Sequence, residues 1–298
     1  MCGIVGLFLK NPALQPRLGA LTARMLVVMS ERGPDSAGFA VYGAQTAGFA
    51  KLTMRLSAPL DLNLVATQMR AQGFNLREPV AHDSHVVIGV QDSQVAGARS
   101  WLQERHSQLE IVSVGARMEI YKETGAPEAV SARFRLAQMR GTHAIGHTRM
   151  ATESSVTTQG AHPFSTGVDQ CLVHNGSLSN HNAVRRQLRH EGLTFETEND
   201  SEVAAGYLTW RMREGESLRE ALTHGLEDLD GFYTFVVGTE KGFAVLRDPI
   251  SCKPAVMAET DDYVAFGSEY RALADLPGVD RARVFEPEPA TVYVWEHE

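Results

Sequence analysis

Short apolar runs recur along almost the whole of this 298-residue chain, and that recurrence limits the fold more than any other feature. Residues 3–9, 37–43, 85–90, 144–147, 171–174, 232–237, 243–247, 263–266 and 291–295 each read as a strand, with 111–114 as a weaker one. Gly238-Thr239-Glu240-Lys241-Gly242 between two of them reads as a hairpin. Helical spacing fills the gaps. Leu18, Leu21, Met25 and Met29 define a helix over 14–29 that stops at the turn Arg32-Gly33-Pro34-Asp35. Ala129, Phe134, Leu136 and Met139 suggest a helix over 127–139. Further helices are expected over 179–190, capped by Ser179 or Asn180, and from an Asp200 or Ser201 cap through Val203, Tyr207, Leu208 and Met212. Another spans 217–229 and ends at Asp230-Gly231. With no repeat, low-complexity tract or Pro/Ser-rich linker, residues 1–298 are expected to form one domain of packed sheets with helices outside.

Composition narrows the partners. A net charge of −8 argues against nucleic acid, whose phosphates need a basic face. No apolar run has the length to span a bilayer. The start of the chain shows neither a basic leader nor a small-residue cleavage site, so a cytoplasmic protein is expected. Cys2, Cys171 and Cys252 are too few and too scattered for a disulfide framework or a four-thiolate cluster. Cys171, inside an apolar run, reads as a core residue.

Cys2 carries the sharpest chemistry. Aminopeptidases that remove the initiator Met accept small second residues, cysteine among them. Removal of Met1 leaves an α-amine with an ordinary pKa of about 7.7–8.0. That amine can serve as general base for its own thiol, directly or through one water. A small buried hydrophobe at the start of a strand is the plainer reading. Other segments carry similar pairs of readings. Asn175-Gly176 is a strong hairpin signal as well as a pair of possible donors. The Asp200-Ser201-Glu202 run fits a helix cap as well as an anionic site. A strand-end arginine such as Arg149 is by default a surface ion pair.

Taken in order, these segments resemble the class II, N-terminal-nucleophile glutamine amidotransferases. Cys2-Gly3-Ile4-Val5-Gly6 looks like the family's start, and Arg32-Gly33-Pro34-Asp35-Ser36-Ala37-Gly38 like its next loop. Gly146-His147-Thr148-Arg149-Met150-Ala151-Thr152 follows, with Met150 where the family has an aromatic residue. Then come Gly160-Ala161-His162-Pro163-Phe164, His174-Asn175-Gly176 and Glu198-Asn199-Asp200-Ser201-Glu202. Arg247-Asp248-Pro249, Lys253-Pro254 and Gly267-Ser268-Glu269 complete the series, with Cys252 near the family's usual glycine.

The resemblance implies an α+β fold, the four-layer αββα sandwich of two antiparallel sheets. It also implies roles. Cys2 attacks the glutamine amide. Asn175 and the Gly176 N–H hold the oxyanion. Arg149, helped by Thr152, clamps the α-carboxylate, and Asp200 takes the α-ammonium. His162 has an accessory place near the carboxylate end, and His174 reads as structural. No cofactor or metal is expected in this chain. The resemblance does not extend over 52–140, an added segment that points to the glutamate-synthase type of domain. A chain of this kind most resembles the amidotransferase-like subunit of N-methylglutamate synthase. The ammonia is therefore expected to pass to separate, glutamate-synthase-like subunits that carry flavin and an iron–sulfur cluster. Two rivals are a partner-independent γ-glutamyl amide hydrolase and a non-catalytic glutamine sensor.

Overall fold

The structure, a computed structural model, describes residues 2–151 and 155–297. In chain order the first half comprises β1 (Gly3–Leu9), α1 (Leu18–Val28), β2 (Ser36–Tyr42), β3 (Phe49–Leu56), α2 (Leu62–Ala71), β4 (Val80–His82), β5 (His85–Gln91) and α3 (Val95–Arg105). Then follow β6 (Leu109–Gly115), β7 (Met118–Thr124), α4 (Pro127–Arg133) and β8 (His143–Arg149). The second half comprises β9 (Phe164–Gly167), β10 (Gln170–Leu178), α5 (His181–His190), α6 (Asp200–Arg213), α7 (Leu218–Asp228), β11 (Gly231–Gly238) and β12 (Gly242–Arg247). It closes with β13 (Val256–Glu259), β14 (Tyr263–Gly267), β15 (Arg283–Phe285) and β16 (Val292–Glu296).

The strands form a seven-stranded sheet, β15-β13-β14-β1-β8-β2-β7, and a five-stranded sheet, β16-β12-β11-β10-β9. All of their ladder pairings are antiparallel. Alternation along each strand sets the layers. On β1, Val5, Leu7 and Leu9 join Leu21, Met25 and Leu26 of α1 and Phe134 beyond α4. Ile4 and Phe8 point the other way and meet Val173, Val236 and Phe243 of the second sheet. The far face of that sheet, with Leu172 and Phe235, packs on Val184, Leu208 and Leu222 of α5, α6 and α7. Helices, sheet, sheet and helices thus stack as four layers, the αββα sandwich of the N-terminal-nucleophile fold. Each fully buried Leu, Ile or Phe in these layers contributes about 1.5–3 kcal/mol relative to exposure.

A third sheet, β4-β5-β3-β6, is added to the expected two and, with α2 and α3, occupies residues 49–115. Leu52, Ile88 and Val90 on its strands pack against Val65 and Met69 of α2 and Leu102 of α3.

Several local expectations change. The helix expected over 127–139 stops at Arg133, because Arg135 adopts a left-handed conformation (φ 54°) and a separate turn follows at Leu136–Gln138. Val130 is buried there, whereas Ala129 is exposed. The helix expected from residue 14 begins as a 3-10 turn containing Pro16, so α1 starts at Leu18. Asn180 occupies the N-cap position of α5, but neither its side chain nor that of Ser179 makes a capping bond. The Ser179 hydroxyl turns to Asp230, and the Asn180 side chain bonds the backbone of Asp228 and Asp230.

Candidate active site

β1 is a central strand, and Cys2 stands immediately before it. β1 runs antiparallel to β8 in a register that sets Gly3 opposite Thr148, so Cys2 meets the Arg149 end of that strand. The Cys2 Sγ lies 3.9 Å from the Met150 carbonyl oxygen. The loop after α1 fixes this junction. Arg32 Nε donates to the Cys2 carbonyl oxygen at 2.9 Å, and its Nη1 pairs with Glu269 at 2.6 Å. Asp35 accepts from the Ala151 N–H (2.8 Å), and its own N–H donates to the Arg149 carbonyl (3.1 Å). At Gly33 an added Cβ would sit 2.4 Å from the Thr148 backbone, so only glycine allows this approach. On the other flank, Ser268 exchanges bonds with Ile4, each 2.9 Å long.

A cavity of about 270 Å³ opens beside Cys2 and is walled by Arg149, His162, Asn175, Gly176 and Asp200. Six of the seven residues singled out from sequence therefore share one space. The seventh, Thr152, lies outside the described residues, as does Met1, whose removal is expected. Asn175 and Gly176 do not form a hairpin turn. They sit inside β10, opposite Thr234 and Tyr233. The Asn175 Nδ2 donates to the Cys2 carbonyl oxygen at 3.2 Å. Gly176 has φ 145°, and a Cβ there would lie 2.0 Å from the Phe232 carbonyl oxygen. Gly176→Ala is therefore expected to pry β10 from β11 and cost about 3 kcal/mol or more. Chemical denaturation measures this, and an unchanged midpoint would contradict the geometry.

Asn199, not Asp200, caps α6: its side chain accepts from the Ser201 N–H at 2.9 Å. The Asp200 carboxylate is left facing the cavity, with Oδ2 accepting from the Leu178 N–H at 2.9 Å. Burial pushes this carboxyl up, but the His174 side chain and the Leu178 N–H outweigh it and bring it down to about 2. The group is an anion at any ordinary pH.

Behind it lies a buried polar chain that joins His162 and His174 through Ser201 and adds His147, links the sequence reading did not anticipate. Ser201 Oγ lies 2.8 Å from His162 Nε2 and 2.9 Å from His174 Nδ1. His147 Nε2 donates to the His174 carbonyl oxygen at 3.0 Å, and the His147 and His162 rings stack. Burial lowers His147 to about 3 and His162 well below the usual imidazole range, so both are neutral donors and acceptors. Asn199 and Lys253 also line the cavity. Both stand in segments that resembled the family, but nothing in their local pattern separated them from a cap and a scaffold lysine.

These buried histidines make stability depend on pH. Burial also lowers His85 to about 4 and His143 to about 3. Unfolded, each would take up a proton near pH 6.5, whereas folded it stays neutral until much lower pH. The unfolded chain therefore binds more protons, and stability falls as pH drops below 6.5 toward 4 and then 3. The loss is on the order of 1–2 kcal/mol per histidine by pH 5. A melting temperature that stays flat from pH 7 to about 5 would contradict neutral burial.

Comparison with known proteins bears on the family and the fold. A family model described as a glutamine amidotransferase domain matches residues 135–289, which include Arg149, Asn175 and Asp200 but not Cys2. The glutamine amidotransferase-like protein GlxB of Rhizobium meliloti is 57% identical over 100% of this chain and 99% of its own length. A Methanothermobacter thermautotrophicus protein assigned to the glutamine amidotransferases is 34% identical over 99% of this chain and 100% of its own. In fold, the chain is similar to glutamine phosphoribosylpyrophosphate amidotransferase from B. subtilis, with a TM-score of 0.63 at 20% identity. That match covers 99% of this chain and 47% of the other. Among the described residues no helix is long and apolar enough to cross a membrane. The chain belongs to the glutamine amidotransferase family and has the class II, N-terminal-nucleophile fold.

Proposed function

We propose that this chain hydrolyses L-glutamine to L-glutamate with Cys2 as nucleophile and hands the ammonia to a separate synthase subunit. One observation carries the reading: Cys2 shares a cavity with a guanidinium, a carboxylate and the Asn175 amide. Those groups match the two ends of glutamine. Arg149 takes the α-carboxylate, with Thr152 beside it, and the Asp200 anion takes the α-ammonium. His162, kept neutral by burial and hydrogen-bonded to Ser201, shapes the wall between them.

The chemistry uses this chain's own groups. With Met1 removed, the Cys2 α-amine accepts the thiol proton and the sulfur attacks the amide carbon. The carbonyl electrons move onto oxygen, where the Asn175 amide and the Gly176 N–H stabilise the negative charge. As the carbonyl re-forms, the C–N bond breaks, and the Cys2 ammonium gives its proton to the departing nitrogen. Water, deprotonated by the same amine, then cleaves the thioester to glutamate and regenerates the thiol.

Free ammonia in water becomes ammonium and loses its nucleophilicity, so a receiving subunit is part of the proposal. We take that partner to be glutamate-synthase-like, with its own flavin and iron–sulfur cluster, in a route to N-methylglutamate. A single domain over residues 1–298, with the third sheet as an insertion, is the organisation proposed. Turnover of L-glutamine by the purified chain, compared with larger γ-glutamyl amides, tests the activity. Preference for the larger amides would favour a partner-independent hydrolase, and no turnover of either would favour a sensor. Identification of the proteins that co-purify from the native host tests the partner.

A further inference from the structure

A second cavity, of about 310 Å³, lies away from Cys2 between the third sheet and the five-stranded sheet. Its walls include two sheet edges, β6 and β9, each with one ladder neighbour. They are tied together by a bridge between Val114 and Val168. The Asp169 carboxylate reinforces that tie by accepting from the N–H groups of Ala116, Arg117 and Met118.

Much of the charge lining this space already has work. The Lys122 ammonium spends its three donors on the carbonyls of Gln159, Ala161 and Pro163. Glu202 accepts from the N–H groups of Glu196 and Thr197 and from the Thr197 hydroxyl. Arg55 pairs with Glu110 at 3.1 Å.

Three groups remain. The Glu196 carboxyl is pushed up by burial and by Glu202 beside it. Lys122 and, more weakly, Arg99 of α3, which also lines the cavity, pull it back down. Yet neither Glu196 nor Arg99 forms an ion pair among the described residues. Ser113 is 3% exposed, and its hydroxyl has no hydrogen-bond partner among the described residues. A buried polar group without a partner costs free energy unless a ligand or water supplies one.

We propose that this cavity binds a small dipolar molecule of the α-amino acid class. Glu196 holds its ammonium, Arg99 its carboxylate, and the Ser113 hydroxyl supplies a further hydrogen bond. The volume suits such a ligand. The site also shares two segments with the glutamine cavity, since neighbouring residues of each line one cavity or the other. Thr158, Gln159 and Phe164 line the second cavity, whereas His162 lines the first. Glu196, Thr197 and Glu202 line the second, whereas Asn199, Asp200 and Ser201 line the first. These shared segments give occupancy of one cavity a means to bias the geometry of the other. That coupling rests on the glutaminase reading, but the binding does not.

The test uses the intact chain after Cys2 has been labelled by a diazoketone analogue of glutamine, which blocks the first cavity. Calorimetric titration with L-glutamate and with glycine is expected to show a saturable site that survives labelling. Glu196→Gln and Arg99→Gln should each weaken it by about tenfold or more. Arg99 lies on an exposed helix position, so its variant reports even if Glu196→Gln fails to fold. No binding of either amino acid at millimolar concentration, or binding unchanged in Arg99→Gln, would overturn the proposal. If Cys2 refuses the label, the glutaminase reading fails separately. Glycine titration of the unlabelled chain and of Arg99→Gln then decides the second site.

Discussion

Cys2→Ala is expected to lower the rate of glutamine hydrolysis by about 10⁴–10⁶-fold while leaving the fold intact. The size follows from the role. Without sulfur there is no covalent step, and the remaining groups only bind glutamine and polarise its amide. The intact fold follows from the position. Cys2 precedes β1, is only partly buried, and its sulfur makes a long contact to the Met150 carbonyl. The backbone bonds that anchor it, from Arg32 Nε and Asn175 Nδ2 to its carbonyl oxygen, survive the substitution. Steady-state kinetics and a thermal melt on the same sample separate the two effects. A Cys2→Ala protein with near-normal turnover would remove Cys2 from the chemistry. A protein that fails to fold would mean the residue is structural.

Asn175→Ala should cost about 10²–10³ in kcat with little change in KM, the signature of an interaction made mainly in the transition state. Asn175 is 4% exposed and lies in the middle of β10, opposite Thr234. Its amide is therefore aimed by the sheet rather than by a mobile loop. In the free protein the amide bonds the Cys2 carbonyl at 3.2 Å, which keeps it beside the sulfur's own residue. Loss of that bond would also loosen Cys2. The split between kcat and KM, together with retained labelling of Cys2, distinguishes oxyanion loss from a displaced nucleophile. A variant that raises KM and leaves kcat alone would place Asn175 in ground-state binding instead.

Much of the two central sheets was legible because their strands are short apolar runs bounded by glycine or turn residues, as in 3–9 and 232–237. The third sheet was legible only in part: β5 and, more weakly, β6 read as strands, whereas β3 and β4 did not. Its β4 has three residues, with Val80 and Ala81 exposed, and β3 and β6 shift register between Thr53 and Met54. Arg55 and Glu110 occupy strand positions as an ion pair and mask the alternation. The end of α4 was missed because Arg135, a residue without a turn preference, takes up the left-handed conformation.

At the candidate site, local chemistry left Asp200 equally suited to capping a helix or binding a cation. The structure gives the cap to Asn199 and leaves Asp200 in the cavity wall. Asn175-Gly176 read locally as a turn, and only the pairing of β10 with β11 shows a strand. Ser201 and His147 are tied to their partners across long stretches of chain, from His162 to Ser201 and from His147 to the His174 carbonyl. Spacing along a sequence carries no such information.

The most direct test is an intact-mass measurement on the protein from its own host, before and after reaction with a diazoketone analogue of glutamine. Loss of Met1, one adduct mapped to Cys2, and glutaminase activity that disappears in step with labelling are the predicted results. Full activity in a protein whose Met1 is still attached, or an adduct that forms elsewhere, would contradict the claim that the terminal amine and thiol of Cys2 perform the reaction.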